Sequence, residues 1–121
     1  MKEQKFRKLK VWQKAMDFVE KIYKATNKFP NEETYGLTSQ LRRAATSVAL
    51  NIAEGSGSDS DAEFNRFLSI AYRSNYEIMC GVEIAKRLNY VTEDNFDLLL
   101  KNSNELSAML FGFKKKLKAN S

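Results

Sequence analysis

Residues 38–55 read TSQLRRAATSVALNIAEG, and this stretch decides the fold. Set on a helix at about 100° per residue, Leu37, Leu41, Ala44, Ala45, Val48 and Ile52 fall in one narrow stripe. Ala49 and Ala53 widen it with methyl-sized side chains that let a neighbouring helix come close. The opposite face carries Arg43, Ser47 and Glu54, with Arg42 and Thr46 at its edge and Leu50 in its middle. A leucine among charges gains no burial inside one chain, so Leu50 points to contact with something outside it. Gly55 is expected to end the helix, because glycine accepts the left-handed conformation common at helix C-termini.

The chain has 121 residues, enough for one domain over 1–121 whose core needs no staples. A single proline, five glycines and an abundance of Leu, Ala, Lys and Glu suit an all-helical protein. Cys80 is the one cysteine, so an internal disulfide is excluded; there is no histidine. A Cys/His zinc site and a histidine-based catalytic centre are therefore both ruled out. A carboxylate-only Mg²⁺ or Ca²⁺ site stays open in principle, but nothing calls for a cofactor. No apolar run approaches the roughly 20 residues of a membrane span, and MKEQKFRKLK lacks the apolar core of a signal peptide. A soluble, cytoplasmic protein with no membrane partner is expected. The formal charge of +5 permits an anionic partner without demanding one.

Residues 1–10 read as a basic N-terminal arm with Phe6 and Leu9 as anchors. A first helix is expected over Val11–Phe29, with Val11, Ala15, Phe18, Val19 and Ile22 on its core side. Lys10, Lys14, Lys21, Lys24 and Lys28 gather opposite, interrupted by Asp17. Such a stripe fits a phosphate backbone, although a solvated face is the commoner case. Pro30 stops the helix, Asn31 is placed to cap the next turn, and Tyr35-Gly36 marks a break. Gly55–Asp59 lacks the lysine and spacing of a phosphate-binding loop and reads as a connection. Ser60-Asp61-Ala62-Glu63 then matches a capping box.

The third helix is expected over Asp61–Asn89 on a stripe of Phe64, Phe67, Leu68, Ala71, Ile78, Met79, Val82 and Ala85. Asn75 lies inside that stripe, where an unpaired amide would cost roughly 1–3 kcal/mol. It needs a partner, and Asn51 on the second helix is one candidate. Ile70, Ile84 and Leu88 form a second, narrower stripe, with Arg66, Arg73 and Glu77 nearby. Thr92 caps a fourth helix built on Phe96, Leu99, Leu106, Leu110, Phe113 and Leu117, leaving 119–121 as a tail. Four amphipathic helices on short connections imply an antiparallel up-down-up-down bundle.

At this point a resemblance emerges. LKVWQKA at Leu9–Ala15, Phe29-Pro30, YGL at Tyr35–Leu37, RRAA at Arg42–Ala45, NIAEG at Asn51–Gly55 and EFNRFLSIA at Glu63–Ala71 resemble the 23S rRNA intervening-sequence protein family. The motifs are weak singly and specific as an ordered set covering nearly the whole chain. The resemblance implies a four-helix bundle assembled as a homopentameric ring. It also implies kinship with the accessory variability determinant of diversity-generating retroelements, which looks like an RNA- or DNA-binding partner of a reverse transcriptase. Ser58 and Arg73 depart from the family pattern of arginine and glycine, which argues against an anion site in the interhelix loop.

Three functions compete. The first is a non-enzymatic homo-oligomer that binds RNA or DNA through Arg42, Arg43, Arg66, Arg73, Lys14 and Lys21. The second is an oligomeric scaffold for a protein partner without nucleic-acid contact. An enzyme is disfavoured, since no nucleophile–base pattern is present. Glu54, Glu77 and Glu83 are most simply paired with Arg43, Arg73 and Arg87. Leu50, Ile70, Ile84 and Leu88 are the candidates for an interface between copies of the chain.

Overall fold

Each of the four amphipathic stretches is a helix in the computed structural model, which describes residues 4–119. Helix α1 spans Lys10–Thr26, α2 Leu37–Ser56, α3 Asp61–Arg87 and α4 Glu93–Ala119. Short 3-10 turns stand at Lys5–Lys8 and Asn31–Glu33. The connections are short, so successive helices run antiparallel, and α1 also touches α4. The result is an all-α, up-down-up-down four-helix bundle with no strand among the described residues.

Helix ends follow local chemistry, with exceptions. α1 stops at Thr26, three residues before the expected Phe29. Lys28 and Phe29 donate to carbonyls three residues back, at 3.2 and 3.0 Å, so the chain tightens before Pro30. Asn31 makes no side-chain cap; Glu33 starts α2 instead, its Oε1 accepting from the Leu37 amide at 3.1 Å. The Tyr90 hydroxyl donates to the other Glu33 oxygen at 2.8 Å and ties the α3–α4 connection to this point. The Leu37 amide, and after it the Tyr90 hydroxyl, hold the Glu33 carboxyl below its ordinary pKa. The same hydrogen bond raises Tyr90.

Ser60 Oγ accepts from the Glu63 amide at 3.1 Å, but the Glu63 carboxylate turns to Arg66 at 2.6 Å. Only half of the capping box forms. α3 closes on Asn89, whose φ of 63° is the one positive value at a non-glycine residue among those described. The amides of Asn89 and Tyr90 reach the Lys86 and Ala85 carbonyls at 3.0 and 2.8 Å, a Schellman turn. Thr92 caps α4 as expected, its hydroxyl accepting from the Asn95 amide at 3.1 Å.

Gly55 does not end α2. It is buried inside a helix that runs on to Ser56, and no described glycine has a positive φ. A Cβ at Gly55 would stand 2.7 Å from Phe64 Cδ1 and 2.8 Å from Phe67 Cβ, so its bareness admits α3. Gly81 returns the favour from α3, where a Cβ would lie 2.5 Å from Leu41 Cδ2. The α2/α3 seam is accordingly the most extensive in the bundle, and the α1/α4 seam the slightest.

Asn75 is fully buried, as its place in the stripe predicts. Its partner is Ser103 on α4 and not Asn51. Asn75 Nδ2 donates to the Ser103 carbonyl at 2.9 Å, and Ser103 Oγ donates to Asn75 Oδ1 at 2.9 Å. Asn51 donates to the Ser47 carbonyl at 2.8 Å, while Ser47 Oγ lies 2.9 Å from Ser74 Oγ across the α2/α3 seam. Phe18, Ile22, Ile52, Leu68, Ile78 and Leu106 are, like the asparagine, almost wholly buried.

The described part of the N-terminal arm is anchored. Phe6 meets Trp12 edge-on with ring centroids 4.9 Å apart, and Leu9 packs against the core. At the other end α4 includes Ala119, which the sequence reading placed in the tail; residues 1–3 and 120–121 lie outside the described residues.

Candidate nucleic-acid interface

The polar face of α2 and the end of α1 bound a shallow groove of about 590 Å³. Arg42 and Arg43 lie side by side in it, with Thr34, Ser39, Thr46 and Ser47 around them and Tyr23 and Tyr35 at its edge. Tyr35 is 97% exposed, an aromatic face held in water on the turn before α2.

Arg42 is fixed to α1. Its Nε donates to Thr26 Oγ1 at 2.8 Å, its Nη2 donates to Asn27 Oδ1 at 2.8 Å, and its guanidinium lies 4.6 Å from the Tyr23 ring centroid. All three partners are uncharged, so the positive charge is retained. Among the described residues Arg43 reaches only Gln40, at 2.8 Å, and it is exposed. Thr34 and Thr46 spend their hydroxyl protons on the carbonyls of Asn31 and Arg42, at 2.8 Å each. The charged donors left for an anion are the guanidinium groups, beside the hydroxyls of Ser39 and Tyr35. Glu54 lies in the same groove, but eleven residues from Arg43 on a helix is about 16 Å, too far to pair.

The six basic candidates do not form one site. Arg42 and Arg43 share the groove, whereas Arg66 is paired with Glu63 and stacks over Phe67, its guanidinium carbon 5.1 Å from the ring centroid. Arg73 is exposed with no ion pair among the described residues, next to Ser74 and hence near the α2/α3 seam. Lys14 is taken by α4: its Nζ lies 2.6 Å from Glu105 Oε2 and 3.3 Å from Asn102 Oδ1. That hydrogen bond and the ammonium charge hold the Glu105 carboxyl below its ordinary value. Lys21 lies toward α4, on the other side of α1 from Arg42.

The acidic side chains depart from expectation as well. Glu54, Glu77 and Glu83 form no ion pair with Arg43, Arg73 or Arg87 among the described residues, and no three carboxylates gather as a metal site. Leu50, Ile84 and Leu88 are exposed, and Ile70 is half-buried. Ile70 and Ile84 are about 21 Å apart along α3, with exposed Arg73 and Glu77 between them. The expected stripe is thus two apolar patches, one at each end of the outer α2/α3 face. Sequence reasoning placed Tyr35 at a break and Thr46 and Ser47 on the polar face of α2, but gave neither the ring nor the hydroxyls of the groove a binding role.

The family model described as 23S rRNA-intervening sequence protein matches residues 7–112. The chain belongs to that family. The match runs from the N-terminal turn to the last third of α4 and so includes the whole groove. A similar solved structure is the crystal structure of a protein of unknown function from the S23 ribosomal protein family of Bacteroides thetaiotaomicron. It shares 26% identity and a TM-score of 0.81, over 87% of this chain and 98% of that one. Comparison with curated proteins gives no match. No helix among the described residues is long and apolar enough to cross a membrane.

Proposed function

We propose that this member of the 23S rRNA-intervening sequence protein family is a non-enzymatic, homo-oligomeric bundle that binds RNA or DNA through the α2 groove. The observation that carries the reading is the pair Arg42 and Arg43, charged and without an acidic partner among the described residues, beside the exposed ring of Tyr35. Guanidinium groups bind phosphate oxygens, and an aromatic face gives an unpaired base a surface on which to stack. The exposed Leu50, Ile84 and Leu88, with the half-buried Ile70, supply apolar surface in two separate patches for contact between copies. A ring of five, which the family resemblance implies, would repeat the groove in each subunit and turn a weak contact into a multivalent one.

The test is a gel-shift with single-stranded RNA and DNA between about 50 and about 200 mM salt, with the mass of the same sample read by light scattering. The parent should migrate as an oligomer and bind with an affinity that falls steeply with salt. Arg43→Gln should weaken binding and reduce the salt slope by about one, leaving the mass unchanged, because Arg43 holds no other helix. An oligomer that binds neither nucleic acid at low salt returns the assignment to a protein scaffold.

A further inference from the structure

A second groove opens on the other side of α1, between its last turns and the start of α4. Its volume is about 360 Å³, within the range of small-molecule sites. Ala25, Val91, Leu98 and Leu99 make an apolar floor, and Lys21, Lys24 and Lys28 stand along one wall. None of these three lysines has an ion pair among the described residues, whereas Lys14, two turns before Lys21 on that side, is held by Glu105. Leu98 is half exposed, and Tyr90, Thr92 and Asn95 complete the lining. Thr92 Oγ1 accepts from the Asn95 amide and keeps its own proton to donate.

Three cations with no ion pair among the described residues, Lys21 adding only its field at Glu105, stand beside an apolar trough and select by charge and by hydrophobic area together. Amines bind an anion as point charges, without the planar fork that arginine offers, so a compact head suits them better than an extended planar one. The trough excludes a purely inorganic anion as the full occupant, because its apolar floor gains nothing from one. A cationic or neutral amphiphile satisfies the floor and leaves the lysines facing each other.

We infer that the α1/α4 groove binds a small amphipathic anion, its apolar body on Ala25, Val91, Leu98 and Leu99 and its carboxylate or phosphate head among Lys21, Lys24 and Lys28. This site is separate from the arginine groove and does not depend on it. A phosphate monoester carries the higher charge and binds tighter than a carboxylate of equal chain length.

The experiment is calorimetric titration of the full chain with n-decyl phosphate, decanoate, decyltrimethylammonium and inorganic phosphate, all below micelle-forming concentrations. Decyl phosphate should bind once per chain, decanoate more weakly, and inorganic phosphate and the cationic amphiphile not measurably. Replacing Lys21, Lys24 and Lys28 together by Gln should lower decyl phosphate affinity about tenfold or more. Leu98→Ser, at an exposed position, should lower it with the lysines intact. Backbone amide shifts on binding should centre on residues 21–28 and 90–99, a readout that a folding defect does not imitate. Equal binding of the cationic amphiphile, unchanged affinity in the lysine variant, or no binding by the parent each overturns the inference. Displacement of decyl phosphate by an equimolar oligonucleotide does so too, since it would give these lysines to nucleic acid.

Discussion

The α2/α3 and α1/α4 seams are built on opposite plans. At α2/α3 each helix removes a side chain for the other: Gly55 makes room for Phe64 and Gly81 for Leu41. A serine pair spans the seam between them at 2.9 Å. At α1/α4 the helices meet least, and a lysine–carboxylate contact stands where the other seam has interlocked side chains. What the second seam gives up in packing it keeps as accessible surface, and the open groove lies there. Stability and ligand access are allotted to different helix pairs in one small domain.

The comparison breaks most readily at Gly55. Gly55→Val forces a branched side chain against Phe64 and the Phe67 Cβ, and a denaturant melt should show a loss of about 3 kcal/mol. A variant as stable as the parent would mean that the seam is not close-packed. The next effect belongs to the core pair. Asn75→Ala strands Ser103 and should cost about 2 kcal/mol, and the double variant with Ser103→Ala should cost less than the sum of the singles. Additive costs would deny the coupling.

The other seam should yield far less. Lys14→Gln removes an ion pair whose carboxylate side chain is 46% exposed, and melts should register below about 1 kcal/mol. A larger loss would make the α1/α4 seam as structural as its counterpart. The smallest effect is one of pH. Glu33 has a lowered folded pKa, so its contribution is present above its ordinary 4.5 and is lost as pH falls through the lower folded value. Tyr90 is raised by the same bond, so its contribution is present below its ordinary 10.0 and is lost as pH rises through the higher folded value. Thermal melts of Tyr90→Phe should be flatter than the parent's at both ends of that range.

Features decided within one or two turns of chain were open to the sequence reading. The four helices, the Ser60 cap and the burial of Asn75 follow from periodicity and capping chemistry, and all stand in the structure. Features decided between helices were not. The partner of Asn75 depends on the axial offset of α3 against α4, and no periodicity encodes that offset. Gly55 was misread for the same reason: a glycine near a helix end satisfies the local rule, while its use here is to admit Phe64. In the candidate site, the adjacency of Arg42 and Arg43 was plain in the sequence. The anchoring of Arg42 by Thr26 and Asn27, and the diversion of Lys14 to Glu105, needed the pairing of α1 with its neighbours.

That anchoring of Arg42 has a thermodynamic side. A free arginine surrenders roughly 2 kcal/mol of rotamer freedom when a ligand immobilises it. Here the folding of α1 against α2 has already stilled the side chain through Thr26 and Asn27, and neutral acceptors have done so without spending its charge. The Nη1 group, which has no partner among the described residues, therefore stands aimed before any anion arrives. An anion meeting Arg42 encounters a preorganised cation, and its binding free energy is not reduced by the entropy of ordering the arginine.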